Sequence, residues 1–435
     1  MRNLLQTALI VIALLGLVSC SSPGGVPVSD RPPGQSAQSD KERVISPDVP
    51  APDLADLAGG NSAFAFDLYQ FLREEKAEDN LFYSPYSISL ALAMTYAGAR
   101  GETERQMADA LHFTLPQERL HPAFNGLDLE LARRGEGAAG KDGEGFRLNI
   151  VNAIWGQDGY EFLPEFLDTL AENYGAGLRL LDFVKAPEES RVTINDWVSD
   201  QTEGRIEDLI PQGLINELTR LVLTNAIYFN AAWAEPFEEN LTADRTFHLL
   251  DGSEVTVPMM KQTASFGHAN REGVQAVELP YDGRELSMVI LLPDAGAFES
   301  FEGALDAGRV DAILRGLAYR EVALTMPKFE IESGFSLAKA LAAMGMPDAF
   351  SMGADFSGMD GTRELFISDV VHKAFVAVDE AGTEAAAATA VVMELKAAMP
   401  EEPIEVTVDR PFLFFIRDIE TGAILFVGRV LDPGA

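Results

Sequence analysis

Nine residues constrain the fold of this chain more than any others: Leu221-Val-Leu-Thr-Asn-Ala-Ile-Tyr-Phe229. The run is apolar almost throughout and of strand type, so it is expected to be covered on both faces within a layered sheet. Asn225 sits in its middle, and a buried amide must find partners inside the protein. A second segment makes the same demand. In Asn80-Leu-Phe-Tyr-Ser-Pro-Tyr-Ser-Ile-Ser-Leu-Ala-Leu-Ala-Met-Thr-Tyr-Ala-Gly98, Ser84 fits an N-cap, Pro85 the first helical position and Gly98 a stop. The helix between them is apolar almost all round and is expected to be buried. The hydroxyls of Ser84 and Ser87 then need internal partners too.

Around these segments, hydrophobic periodicity predicts further elements. Helices are expected at Pro164–Tyr174, Arg191–Glu203, Phe298–Leu317 and Gly334–Met344, and from a cap at Asn61-Ser62 through Phe64, Leu68, Phe71 and Leu72. Strands are expected at Arg147–Trp155, Leu286–Leu292, Val322–Ile331, Leu365–Val378, Ile404–Val408, Phe412–Arg417 and Ile424–Val430. No repeat and no linker follows residue 60, so residues 56–435 read as one large domain of mixed α and β structure. With 47% hydrophobic residues in 435, a substantial core is available. The 33 basic against 68 acidic residues give a net charge of −35, which argues against nucleic acid or an anionic membrane surface as partner.

The N-terminus reads as a targeting segment. Arg2 precedes the apolar run Leu4–Val18, too short to span a bilayer and of signal-peptide type. The run ends in Leu17-Val18-Ser19-Cys20, which resembles a bacterial lipobox. Residues 1–20 are therefore expected to be a lipoprotein signal peptide, with Cys20 lipidated and anchoring the protein in a membrane. By resemblance to bacterial sorting rules, Ser21 points to the outer membrane of the cell envelope, on its periplasmic or extracellular face. Cys20 is the only cysteine, which excludes disulfides and cysteine–metal sites. Residues 21–55 are rich in Pro, Ser and Gly without an apolar period and read as a disordered tether.

A search for catalytic chemistry returns no constellation. GxSxG, HExxH and paired Cys/His spacings are absent. His112, His121, His248 and His268 lie in polar contexts and are expected at the surface, whereas His372 interrupts an apolar strand pattern and is expected to be a buried structural group. Gly135–Asp142 matches GxGxxG, but no apolar strand precedes it and Asp142 stands where a P-loop needs Ser or Thr, so an exposed loop is expected. No enzyme activity and no cofactor are expected. The stretch Asp379–Pro400 carries two patterns at once. Its Ala, Glu, Leu, Met and Lys content is that of a helix. Yet Thr383, Ala385, Ala387, Thr389, Val391 and Met393 are small or apolar at period two, with Glu384 and Glu394 on the other parity, which describes a strand able to bury one face.

Seven segments follow one another in a recognisable order: Asn80–Ser89, Thr224–Phe237, Val257-Pro-Met-Met-Lys261, Met326-Pro-Lys-Phe329, Val371-His372-Lys373, Gly382-Thr383 and Arg410-Pro-Phe412. In these segments and their order the chain resembles the serpins, the large serine protease inhibitors, from about residue 60 to Pro433. It implies a fold of three β-sheets and about eight to nine helices with an exposed reactive-centre loop at about residues 380–403. It implies a monomer that traps a serine protease by letting the cut loop enter a sheet as a new strand. Matching positions assign the loop hinge to Glu380, Gly382, Thr383, Ala385, Ala387 and Thr389. Control of sheet opening falls to Ser84, Ser87, Asn225 and His372, with Trp233, Lys328 and Glu380 at the top of the sheet. The family's spacing from the hinge glutamate places the scissile bond at Lys396-Ala397 and implies a trypsin-like target. Leu395 or Met399 would point instead to chymotrypsin- or elastase-like enzymes, and the alternative functions are a non-inhibitory relative serving as a binding or scaffold protein, or an inhibitor of cysteine proteases.

Overall fold

The computed structural model describes residues 35–136, 138, 147–383 and 402–435. Strand Leu221–Ala232 is buried at every position, and its parity separates two cores. Leu221, Leu223, Ile227 and Phe229 face the main core, which helices Ala51–Glu75 and Pro85–Tyr96 share. Val222 and Ala226 face a smaller core beneath helix Pro187–Gln201, with Trp155, Ile194, Trp197 and Val198. Burial on both sides explains why the run shows no alternation.

This strand is the middle member of a seven-stranded sheet. Antiparallel Arg147–Gln157 lies on one side, with Leu178–Leu181 and Gln35–Ala37 beyond it. Parallel Ile367–Val378 lies on the other, with Phe329–Ser336 outermost. At one end of the sheet a two-residue strand, Gly382–Thr383, enters between Leu221–Ala232 and Ile367–Val378. The remaining strands form a nine-stranded network. Within it the 18-residue strand Glu254–Arg271 pairs with Ala243–His248, Ala318–Pro327 and Val274–Pro280 in turn, so that two expected sheets share one strand. Ten α-helices and two short 3-10 helices are present among the described residues. The mixed α and β architecture is the expected one.

Several boundaries differ from the sequence reading. The first helix begins at Ala51 rather than at an Asn61 cap; Asn61 lies inside it and donates its amide to Ile424 O at 2.9 Å. The polar stretch after Leu115 holds helix Gln117–Ala132, which buries Leu120, His121, Phe124 and Leu127. His121 is therefore in the core, not at the surface. Phe298–Leu317 breaks into Phe298–Gly303 and Ala307–Leu314, the second capped by Asp306. Val322–Ile331 is two strands, separated after Pro327.

The largest correction concerns the tether. From residue 35 onward the segment is docked on the body. Gln35–Ala37 pairs antiparallel with Leu178–Leu181, and Ser39 Oγ donates to Asp168 at 2.5 Å. Lys41 Nζ lies 3.2 Å from Asp168 and 2.8 Å from Glu172, and Arg43 reaches Asn125 at 2.8 Å and Asp128 at 2.6 Å. Backbone pairing and charge hold this arm, and neither leaves a hydrophobic period to read. Residues 21–34, Cys20 and the apolar run before it lie outside the described residues. So do Ala385, Ala387, Thr389, Lys396 and Ala397.

Candidate functional site

Two clusters lie along the line where Leu221–Ala232 meets Ile367–Val378. The lower one is polar and enclosed except at the half-buried Asn152. Asn152, Asn225 and His372 occupy the same level on three adjacent strands. Ser84 and Ser87 come from the helix packed over them, where the Ser84 hydroxyl accepts from Ser87 N–H as the expected cap. The donors and acceptors form one directed chain. Ser84 N–H donates to His372 Nε2 at 3.2 Å, so the ring proton sits on Nδ1 and is donated to Asn225 Oδ1. The Asn225 amide donates onward to Ser87 Oγ and to Asn152 Oδ1, and Asn152 returns a bond to Ser87 O at 3.3 Å. Ser84, Ser87, Asn225 and His372 are all 0% exposed. Burial pushes the imidazole down to about 3, and neutrality is what the chain requires, because a proton on Nε2 would face the Ser84 N–H. Phe335, opposite His372 on the next strand, lies parallel to the ring at 6.3 Å.

The upper cluster surrounds the hinge. Lys328 Nζ lies 2.8 Å from Glu380 Oε2, and Thr242 Oγ1 donates to Oε1 of the same carboxylate at 2.6 Å. Burial raises the Glu380 pKa, but the bonds from Lys328 and Thr242 outweigh it and hold the carboxyl below its usual range. Trp233 anchors the neighbouring backbone: its indole N–H donates to Asp379 O at 3.0 Å and its main-chain N–H to Ala381 O at 2.9 Å. Its ring stacks on Tyr281 at 4.7 Å. The Tyr281 hydroxyl in turn meets Thr383 Oγ1 at 2.9 Å. Thr383 is 0% exposed and lies opposite Ala231, with its side chain in the main core. Gly382 is required here, because a Cβ would fall 2.2 Å from Ala231 O.

The structure thus brings Ser84, Ser87, Asn225 and His372 into one cluster, and Trp233, Lys328, Glu380, Gly382 and Thr383 into the other. Asn152, Thr242 and Tyr281 were not anticipated. Asn152 stands in an expected strand, but only the register against Asn225 reveals its role; Thr242 and Tyr281 arrive from distant segments with no local signal. Below the hinge the two central strands are still paired directly, from Leu221 with Ile367 to Tyr228 with Phe375. A strand entering there must break the His372–Asn225 bond. Among the described residues no group of three or more His, Cys, Asp or Glu side chains could hold a metal ion.

Comparison with known proteins bears on this geometry. A family profile described as "Serpin (serine protease inhibitor)" matches residues 59–433. The leukocyte elastase inhibitor of Bos taurus is 42% identical over 389 residues, covering 87% of this chain and 100% of that protein. An uncharacterized serpin-like protein of Thermococcus kodakarensis is 44% identical over 373 residues, covering 86% of this chain and 84% of the other. Among solved structures, uncleaved ovalbumin superposes with a TM-score of 0.77 at 28% identity, covering 87% of this chain and 100% of its own. Human thyroxine-binding globulin superposes with a TM-score of 0.78 at 31% identity, covering 88% and 99%.

Proposed function

The chain belongs to the serpin family of serine protease inhibitors, and we propose that it is a suicide-type inhibitor whose cut loop enters the central sheet beside Leu221–Ala232. The observation that carries this reading is the Gly382–Thr383 wedge, already seated between the two central strands with Thr383 facing the main core. Continuing its register brings Ala385, Ala387, Val391 and Met393 opposite Phe229, Ile227, Leu223 and Leu221, all on the main-core face. Thr389 comes opposite Asn225, so the one hydroxyl in the run between Glu384 and Val391 meets the polar cluster that insertion disrupts. Glu384 and Glu394 fall on the other parity. Small inward residues avoid overpacking, and no proline between Thr383 and Met399 removes a donor from the ladder.

The driving force follows. The parallel pairing lost between the central strands is replaced by antiparallel pairing on both sides of the new strand, a net gain of about ten bonds at roughly 0.5–1.5 kcal/mol each. A total near 10 kcal/mol rivals the stability of an ordinary domain. Met393 would reach the lower edge of the sheet at Leu221, leaving Lys396 just beyond it, where an attached protease clears the strands. The protease serine attacks the Lys396 carbonyl, the amide to Ala397 breaks, its amine leaves protonated, and an ester to the enzyme remains. The Lys396 ammonium suits an acidic, trypsin-like specificity pocket. A lipid anchor at Cys20 completes the reading, and fatty-acid labelling should vanish in Cys20→Ala.

Incubation with trypsin should give a complex that survives SDS, releasing a C-terminal fragment that begins at Ala397. Cleavage at that bond without a stable complex would refute inhibition by trapping; a fragment with another first residue would move the bait position.

A further inference from the structure

The docked arm fixes the position of Gln35 on the sheet. Ala37 pairs with Leu178 and Gln35 with Leu180; Leu180 in turn lies level with Gly156 and Leu221. Gln35 therefore sits at the lower edge of the sheet, at the end opposite the Gly382–Thr383 wedge. The close backbone approach is built in at Gly177, where a Cβ would fall 2.8 Å from Ala37 O. Lys41 and Arg43 then bind the arm to Asp168, Glu172 and Asp128. Resting on the loop-insertion reading above, the same level marks where a trapped protease arrives, because Met393 would come opposite Leu221. Four strand spacings separate the inserted strand from Gln35, about 19 Å across the sheet.

We propose that the arm places the tether's exit beside the trapped protease, so that the reach of the segment between Cys20 and Gln35 governs how completely surface-attached molecules trap their target. The length of chain between Cys20 and Gln35 can span at most about 50 Å. A protease domain of about 230 residues is roughly 45 Å across. On an anchored molecule the enzyme starts at the far pole and must finish between the body and the surface, where the tether is nearly taut. Slower insertion then leaves more time for the ester to hydrolyse, which releases active protease and a spent inhibitor.

Cys20, the single thiol, allows a direct test. The full chain is compared free in solution and coupled through Cys20 to a maleimide lipid in phosphatidylcholine vesicles, with trypsin as probe, or pancreatic elastase if that is the enzyme trapped in solution. The coupled chain is expected to form at least about threefold less SDS-stable complex per protease, with a matching rise in cleaved, uncomplexed chain. Inserting roughly 30 Gly/Ser residues after Pro33 should restore the solution yield. The Lys41→Glu, Arg43→Glu double variant, which frees the arm, should also raise the vesicle yield without changing that in solution. Equal yields for the unaltered chain in both settings would overturn the inference, as would a low vesicle yield from the lengthened chain. A double variant as poor on vesicles as the unaltered chain would overturn the arm's part in it. No complex in solution with either enzyme would instead defeat the loop-insertion reading itself.

Discussion

The two clusters along the central seam hold the same pair of strands together by opposite means. The lower one is neutral, enclosed except at the half-buried Asn152, and closed upon itself: every link from Ser84 through His372 and Asn225 to Ser87 and Asn152 is a hydrogen bond between uncharged groups. The upper one is ionic and reaches solvent, since the Lys328 side chain is 36% exposed while Glu380 is 8%. A buried neutral network is costly to break because each freed group stays without water. A half-exposed ion pair is cheap to break because water replaces the partner. The seam is thus easy to open at the hinge and hard to open below it, which is the gradient a loop entering from the top requires.

The largest expected effect breaks the comparison at its boundary. Thr383→Arg puts a charge where the hinge enters the main core and should convert an inhibitor into a substrate: complex with trypsin falls at least tenfold while loop cleavage continues. Unchanged complex yield would remove insertion from the mechanism. Next comes Asn225→Ala, which leaves His372 Nδ1–H without its acceptor and takes one bond each from Ser87 Oγ and Asn152 Oδ1, which keep only their 3.3 Å bond to each other. About 3–4 kcal/mol should be lost, seen as a melting temperature lower by roughly 4–5 °C, with faster heat-induced polymerisation. A loss within 1 °C would mean that the lower cluster does not lock the seam.

Acid should act on the lower cluster before the upper one. Burial depresses His372 to about 3 and His121 to about 4, so as pH falls the unfolded chain takes up each proton first. The stability these neutral rings contribute is complete above about pH 6.5 and drains below it, at about 1.4 kcal/mol per pH unit for each histidine. The stability gap between the unaltered chain and His372→Gln should therefore narrow from pH 6 to pH 4.5; a constant gap would contradict a buried neutral imidazole. Glu380→Gln should do least, removing about 1 kcal/mol while sparing the strands beneath. Its mark is earlier polymerisation on warming, and Glu380→Lys should exaggerate it. If neither variant polymerises sooner or loses inhibitory yield, the ion pair does not restrain the loop.

The difference between the clusters also explains what sequence could reveal. Leu221–Phe229 and the Ser84-Pro85 cap were legible because they declare themselves within a few residues: an unbroken apolar run, a capping serine, a proline at the first turn. The buried demands of Ser84, Ser87, Asn225 and His372 followed from those contexts. Asn152 did not, because its part depends on an antiparallel register that no local pattern encodes. Thr242 and Tyr281 converge on the hinge from other segments of the chain. Helix Gln117–Ala132 was hidden by its polar flanks and an internal Pro122, which also disguised His121 as a surface residue. The docked arm was invisible for a similar reason, since backbone pairing and lysine and arginine bridges leave no hydrophobic trace.

The central claim is that the seam is held closed above a lower-energy arrangement with the loop inside it. The most direct measurement nicks the loop near Lys396 with a catalytic amount of protease and compares thermal unfolding before and after. The melting temperature should climb by about 10 °C or more once the loop is cut. A nicked protein that melts at the same temperature as the intact one, or below it, would contradict the account.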